Sequence, residues 1–508
     1  MLDLITAFAA LLLPAIFFFI NKWKRSKDSK SMKQLPPGPR KLPIIGNLHQ
    51  MRNPPFRCFR DLSNQYGPLM HLKLGERNAI VVSSPEIAKK MLKDLDPGFA
   101  DRPRNVAAEI MWYNSSDIVF CPYNDYWRQM RKLRINEILS PKMVRLFESI
   151  RRDESARLVD TLRESSGSSV NFTEKIFSLS SSVTCRAAFG CVCEDSETLV
   201  KMMADTLNMA AGFEIVDLFP SSRIAGALSW GKVRYMKKMR RKLDVILDDI
   251  IDRHRRNRAE MAFEGGRRFG NSEFGGEDLV DVFLRVKEEE ELKFPIHNNN
   301  IKAVLYDILT GGTDTSAGTI DWAMAELLRH PRVMAKAQAE VRQALKENPS
   351  CEQNNVVCNL KYLKLVIKEI LRLHPPGPMI PRTSNAEHVI NGCIIPSGAM
   401  VLVNIWAMQR DPRYWKDPEK FEPERFEDQA VDFGFEYLPF GTGKRMCPGM
   451  TFGLATVESA LAQLLYNFDW KLPEDVRAED MDMTETVGLA ALRKQSLFVV
   501  ATPYKSAN

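Results

Sequence analysis

The 508-residue sequence has no internal repeat and few low-complexity segments, which excludes solenoids, propellers and fibrous classes. It has no dinucleotide- or flavin-binding glycine fingerprint, so a redox reaction here would need its electrons from another protein. It has no strong charge of one sign. The net charge is +7, and its basic residues are scattered over helical stretches among acids, which excludes a nucleic-acid footprint. A positive face toward an acidic protein or a membrane surface stays open. It has no paired cysteine framework either. The nine cysteines stand at 58, 121, 185, 191, 193, 351, 358, 393 and 447, and Cys191-Val-Cys193 lacks a second pair or histidines at zinc spacing. All but Cys447 read as reduced thiols of a reducing compartment.

What is present begins with an uncharged run from Leu4 to Ile20. As a helix it would span roughly 26 Å, close to a bilayer core. Asn21-Lys-Trp-Lys-Arg-Ser-Lys27 follows, with cations that stay cytosolic and a tryptophan suited to the interface. A cleaved signal peptide would want charge before the run and small residues after it, and neither is present. The reading is an anchor at 1–21, a basic and proline-rich hinge at 22–40 that includes Leu35-Pro-Pro-Gly-Pro39, and a body at 41–508. The body would sit on the cytosolic face of the endoplasmic reticulum.

Within the body, 44% hydrophobic composition supports a large core. Pro68 to Ser84 is predicted as a hairpin turning at Gly75-Glu-Arg-Asn78. Trp127-Arg-Gln-Met-Arg-Lys132 reads as a short basic helix with Trp127 and Arg131 on one face. The stretch from Asp101 to Phe120 is either a functional lid or a helix, and Met111, Trp112, Ile118 and Val119 are either pocket wall or ordinary core. Lys232–Lys242 reads as a helix with a solvated basic face, and Phe263–Asp278, with five glycines, as an exposed linker. Ile301 to His330 reads as one helix of about thirty residues stopped by Pro331. Gly311-Gly312 at its centre costs about 1 kcal/mol per glycine, so the fold needs space or a distortion there. Gly311 and Thr315 share a face. Glu369 and Arg372 can pair at i, i+3 on the helix Leu360–Leu373.

Phe440-Gly441-Thr442-Gly443-Lys444-Arg445-Met446-Cys447-Pro448-Gly449 combines one cysteine with three glycines and two cations. Such a loop can aim amide N–H groups at sulfur, and Arg445 and the helix beginning at Met450 would favour a thiolate. The plain alternative is a buried cysteine in a turn. The spacing Phe-x-x-Gly-x-Arg-x-Cys-x-Gly resembles the haem loop of the cytochrome P450 family, in which the cysteine is the iron ligand. Trp127/Arg131, Gly311–Ser316, Glu369/Arg372, Pro423–Phe426 and the Cys447 loop occur in family order, and the resemblance spans essentially the whole chain. Met111-Trp-Tyr-Asn, Tyr123–Arg131 and Phe468-Asp-Trp-Lys-Leu-Pro are similar to plant microsomal members of the mint-type terpenoid hydroxylase subgroup. Thr310 departs from the alanine that often precedes the two glycines.

The resemblance implies a mainly α fold with a small β region, the cytochrome P450 fold, on one N-terminal transmembrane helix. It implies haem b held by Cys447, with Phe440, Gly443, Arg445 and Gly449 in the loop and Trp127, Arg131 and Arg382 at the propionates. It assigns Thr315 and Asp314 to oxygen activation, and Glu369, Arg372 and Arg425 to a buried triad tying the loop to the body. Ile308, Leu309, Gly311, Met379, Ile380, Val487 and Leu489 would line the pocket, an apolar set apart from the glycine. His374 reads as a helix-end residue. The implied function is hydroxylation of a lipophilic terpenoid with O2 and electrons from NADPH, delivered by NADPH-cytochrome P450 reductase on a basic face that includes Lys444. A phenolic or alkaloid substrate, or haem binding without turnover, remain the alternatives. Membrane lipid is an implied partner and nucleic acid is not.

Overall fold

The computed structural model describes residues 34–505 except 138, 193–195, 264–276, 290–292, 348–358 and 429–432. The expected anchor at 1–21, most of the hinge and most of the 263–278 linker lie outside the described residues. Among the described residues no helix is long and apolar enough to cross a membrane.

The elements that position the site are α1 (Pro55–Tyr66), β1 (Leu69–Leu74), β2 (Arg77–Val82), α2 (Asp125–Glu137), α3 (Phe172–Phe189), α4 (Ser196–Met209), α5 (Trp230–Phe263), α6 (Asn298–Arg329), α7 (Lys361–Leu373), β3 (Ile380–Thr383), β4 (Met400–Val403) and α8 (Met450–Asn467). Helices dominate, with one four-stranded sheet in the order β1-β2-β4-β3. The β1–β2 and β3–β4 pairs are antiparallel, and β2 runs parallel to β4, with Ala79 opposite Met400.

The hairpin forms with a tighter turn than Gly75–Asn78. Arg77 and Asn78 already pair with Leu74 and Lys73, and Gly75 carries the positive φ of 58°. A two-residue turn of this hand matches the twist of the strands. The proline-rich segment is strapped to the sheet: the Pro37 carbonyl accepts the His71 N–H at 2.9 Å. A Cβ on Gly38 would stand 2.0 Å from the His71 oxygen, so only glycine permits that approach. The basic 232–242 stretch belongs to α5, which is longer than expected. Lys237, Lys238, Arg241 and Lys242 are exposed while Met236, Met239 and Leu243 are buried, so one face is solvated as expected.

α6 is the axis of the molecule. From Ile301 to Leu327 every residue is buried except Gly311, Gly312 and Thr315. It packs on α3 and α8, whose buried residues (Ile176, Val183, Ala187; Phe452, Val457, Leu461, Leu465) join Ala317, Ile320 and Met324 in one core. Such burial all round calls for internal partners for every charge. Lys302 reaches Asp248 at 2.6 Å and Asp244 at 3.0 Å on α5, and Asp307 takes Arg134 of α2 at 2.6 Å. At the two glycines the helix continues unbroken, and each has its own reason. Gly311 opens on empty space, whereas a Cβ at Gly312 would stand 2.9 Å from Thr184 of α3. Ser180 of α3 donates to the Thr313 carbonyl at 2.9 Å in the same place.

Candidate active site

A cavity of about 370 Å³ lies between α6 and the loop that precedes α8. Gly311 and Thr315 stand on one wall and Cys447 on the other. Cys447 is enclosed by the body, yet its side chain is exposed to this space. Its amide donates to the Phe440 carbonyl at 2.9 Å, which closes the loop on itself. Gly441 (φ 66°) and Gly443 (φ 70°) take the left-handed turns this needs. Gly443 also rests on the Leu92 carbonyl, where a Cβ would be 2.4 Å away.

The electrostatics at the sulfur differ from the expectation in one respect. The Gly449 amide does favour the thiolate, but Arg445 is not the nearby cation. Its guanidinium turns away to the carbonyls of Ala100 (2.8 Å), Ile118 (2.9 Å) and Cys121. Arg134 and Arg131 supply the positive field instead. Burial outweighs these aids and raises the thiol's pKa, and a bound metal cation would favour the anion.

Around the cavity rim stand Arg102, Arg131, Arg382 and Arg445. Burial lowers the proton affinity of all four, and repulsion from neighbouring arginines, Arg134 in the case of Arg131, adds to it. Arg382 is pushed down to about 9 and Arg445 to about 10. The Arg382 Nε is buried without a hydrogen-bond partner among the described residues. Arg131 donates to the Met446 carbonyl at 2.6 Å, and the Trp127 indole N–H goes to the Ile118 carbonyl at 2.9 Å. A sulfur facing a cavity whose rim is crowded with guanidiniums fits a flat, iron-bearing dianion: haem, with iron on Cys447 and its carboxylates among the arginines.

On α6 the Thr315 hydroxyl donates to the Gly311 carbonyl at 2.7 Å, back along its own helix. Asp314 is fully buried, and neither carboxylate oxygen has a partner among the described residues. Burial alone pushes its pKa up to about 7. Glu369 and Arg372, both fully buried, form a two-point pair at 2.7 and 2.9 Å, and Arg425 meets the same carboxylate at 3.0 Å. Arg372 continues to the Gln409 and Pro418 carbonyls, so the pair organises the chain leading to the Cys447 loop.

Of the expected pocket residues, Ile308, Gly311, Met379, Ile380 and Leu489 line the cavity, with Trp112, Ile118 and Val119. Met111 and Leu309 are fully buried in the adjoining core. Val487 is 40% exposed and borders a small neighbouring pocket with Phe56 and Phe213. His374 stacks on Trp322 and bonds Glu326 at 2.8 Å, as a structural helix-end residue would. Sequence reasoning missed Arg102, Arg134, Asp307 and the wall at Leu207, Ala210, Ala211 and Gly212. Asp307 could have been found, because it precedes Gly311 and Thr315 by four and eight positions on the same helical stripe. Arg134 follows Trp127 by seven in the same way.

The cytochrome P450 family model matches residues 36–499. The chain is 50% identical to premnaspirodiene oxygenase of Hyoscyamus muticus over 97% of each chain. It is 49% identical to 5-epiaristolochene 1,3-dihydroxylase of Nicotiana tabacum over 97% of each, and 47% identical to cytochrome P450 71D95 of Mentha spicata over 98% of each. A zebrafish cytochrome P450 solved with abiraterone shares the fold, with a TM-score of 0.72 at 23% identity, over 89% of this chain and 100% of that one. The chain belongs to the cytochrome P450 family. It is a haem-thiolate monooxygenase of the plant, mint-type subgroup.

The two glycines of α6 should respond oppositely to a methyl group. Gly311→Ala adds it to open space and should raise stability by about 1 kcal/mol. Gly312→Ala drives it into Thr184 and should lower stability by about 1–3 kcal/mol. Thermal unfolding of the two variants checks this, and shifts of the same sign would contradict it.

Asp314 also carries a pH signature. Folding raises its proton affinity, so between the ordinary 3.8 and about 7 the folded chain keeps a proton that the unfolded chain has lost. This contribution to stability is present at acid pH and is lost as pH rises through that window, by up to about 1.4 kcal/mol per unit. Asp314→Asn should flatten that part of the Tm-against-pH curve. An unchanged slope would show that Asp314 is ionised throughout.

Proposed function

We propose that the enzyme hydroxylates a terpenoid. One atom of O2 would be inserted into a C–H bond of the hydrocarbon and the other would leave as water, with two electrons from NADPH and two protons balancing the step. The observation that carries this is the alignment of Cys447 with Gly311 and Thr315 across one cavity, whose accessible walls are mostly apolar. The cavity volume is in the range of small-molecule sites. The relatives named for premnaspirodiene and 5-epiaristolochene oxidation support a mono-, sesqui- or diterpenoid substrate.

Haem supplies the activation of O2 when bound. The chain's own part is to place and protonate. Gly311 leaves room beside the helix, and Thr315 offers a hydroxyl there. Asp314, buried and poised near neutrality, stores a proton one residue away. Arg131 and Arg382, the latter with its Nε unpartnered, would receive the haem carboxylates, and Trp127 and Arg445 hold the segment beside them through the Ile118 carbonyl. Ile308, Met379, Ile380 and Leu489 exclude water and shape the apolar space. Glu369, Arg372 and Arg425 hold the approach to the loop.

The electrons would come from NADPH-cytochrome P450 reductase. Exposed Arg128, Lys132 and Lys444 support a basic docking face on the Cys447 side. The apolar run at 4–20 and the cations after it support a single N-terminal anchor in the endoplasmic reticulum membrane, with the body cytosolic.

Membranes containing the chain and a plant reductase, supplied with NADPH and a panel of mono-, sesqui- and diterpene olefins beside phenolic and alkaloid controls, test the proposal. A hydroxylated terpene formed with NADPH consumption is expected. Turnover of the phenolic or alkaloid controls alone would overturn the substrate class.

A further inference from the structure

The turn from Thr486 to Leu492 contributes Leu489 and Ala490 to the cavity wall. Its base is closed within itself. The Thr486 N–H donates to the Leu492 carbonyl at 2.8 Å, and the Leu492 N–H donates to the Thr486 hydroxyl at 3.2 Å. Just past the base, Arg493 meets Asp321 of α6 at 3.4 Å. The turn lies close on α6, where a Cβ at Gly318 would stand 2.5 Å from the Leu492 side chain. On its far side the Leu489 N–H donates to the Leu207 carbonyl of α4 at 3.1 Å.

Ala491 is held at both of its peptide groups. Its N–H donates to the Pro376 carbonyl at 2.9 Å, and its carbonyl accepts the Trp322 indole N–H at 3.1 Å. These two partners are themselves joined. His374, two residues before Pro376, stacks on the Trp322 ring with centroids 3.9 Å apart and planes within 7° of parallel. The His374 Nε2 lies 2.8 Å from Glu326, one turn after Trp322 on α6. Trp322, the His374–Pro376 segment and Ala491 therefore close a ring of contacts, and Trp322 is its member on α6. Trp322 and Ala491 are both buried, so the carbonyl would find no water in place of a lost indole N–H. Along α6, Trp322 follows Thr315 and Thr319 by seven and three positions, on the same helical stripe. Those two threonines line the cavity, and Trp322 does not. Trp406 offers a contrast. It packs with Phe56 and Ala491 in one apolar cluster, yet its indole N–H has no partner among the described residues.

We propose that Trp322 is a positioning residue for the oxidation: its indole N–H pins Ala491 to α6 and so sets where Leu489 and Ala490 stand relative to Thr315 around a bound substrate. One helix then carries both the threonine and the reference point for the wall. The base of the turn is held separately, by the Thr486–Leu492 bonds and the Arg493–Asp321 pair, so loss of the pin loosens the wall without releasing the turn. This inference rests on the reading of the cavity as a haem and substrate site.

The test uses the full-length protein and two readouts. Backbone hydrogen exchange across 486–492 reports the pin whether or not haem is loaded. Titration with imidazole and with 4-phenylimidazole, followed by the haem absorption band, separates a ligand confined to the metal from one whose phenyl ring enters the substrate space. Trp322→Phe keeps a ring against His374 and removes the N–H. In this variant the Ala491 amide should exchange about tenfold faster, and 4-phenylimidazole should bind about tenfold more weakly while imidazole is unchanged. Trp406→Phe removes the same bulk beside the same residue but no hydrogen bond, and should stay within about twofold of wild type on both readouts. Wild-type exchange in Trp322→Phe would overturn the proposal. Equal acceleration in the two variants would also overturn it, because packing alone would then hold the turn. So would 4-phenylimidazole binding that is unchanged, or that weakens no more than imidazole binding. Where Trp322→Phe does not fold, His374→Ala frees the indole plane and decides in its place, with faster Ala491 exchange expected and the wild-type rate overturning the proposal. Wild-type protein that binds neither azole would contradict the haem reading and leave the exchange result to decide the pin.

Discussion

A sulfur must be kept negative in a place that disfavours charge, and the rest of the structure answers to that. Cys447 stands deep in the body, where burial raises its pKa against the pull of the Gly449 amide and two arginines. An iron bound directly to it would hold the sulfur as an anion there. The same opposition recurs at the rim, where burial and neighbouring guanidiniums lower the proton affinity of Arg102, Arg131, Arg382 and Arg445. A cavity with a buried sulfur on its wall and arginines at its edge, one of them with an unpartnered Nε, is complementary to a metal chelate that carries two carboxylates. Haem meets both demands at once.

The scaffold works to hold the two walls of that cavity at a set separation. From Ile301 to Leu327 α6 passes through the core with only Gly311, Gly312 and Thr315 left unburied, so its position is determined by packing along almost its whole length. The opposite wall is fixed by charge. The Glu369–Arg372 pair, joined by Arg425, reaches backbone carbonyls at 409, 416, 418 and 420 on the approach to the Cys447 loop. Packing fixes α6, and a buried ionic network fixes the chain that leads to the Cys447 loop.

Much of this was legible in the sequence, and the limits have physical causes. The ends of α6 were readable because an apolar run is stopped by Pro331, and the structure shifts them by only a few residues. Gly311, Thr315 and Cys447 were readable from local spacing. The meaning of Gly312 was not, since it depends on Thr184, a contact across the fold. Arg445 was read correctly as a cation of the loop but not in its direction, which is set by three carbonyls of the 100–121 segment. The wall at 207–212 was invisible because it meets the 487–490 turn through one backbone bond, Leu489 to Leu207, between segments far apart in the chain. Val487 borders the small neighbouring pocket rather than the main cavity for a related reason: Gly488 packs on Asn208, and the residue before it is 40% exposed.

The central claim is ligation of iron by the Cys447 sulfur, and the reduced carbon-monoxide difference spectrum of wild type and Cys447→Ser tests it most directly. The wild-type protein is expected to show the strongly red-shifted band of a thiolate-ligated haem, and the serine variant to lack it. The same red-shifted band in both proteins would contradict the account.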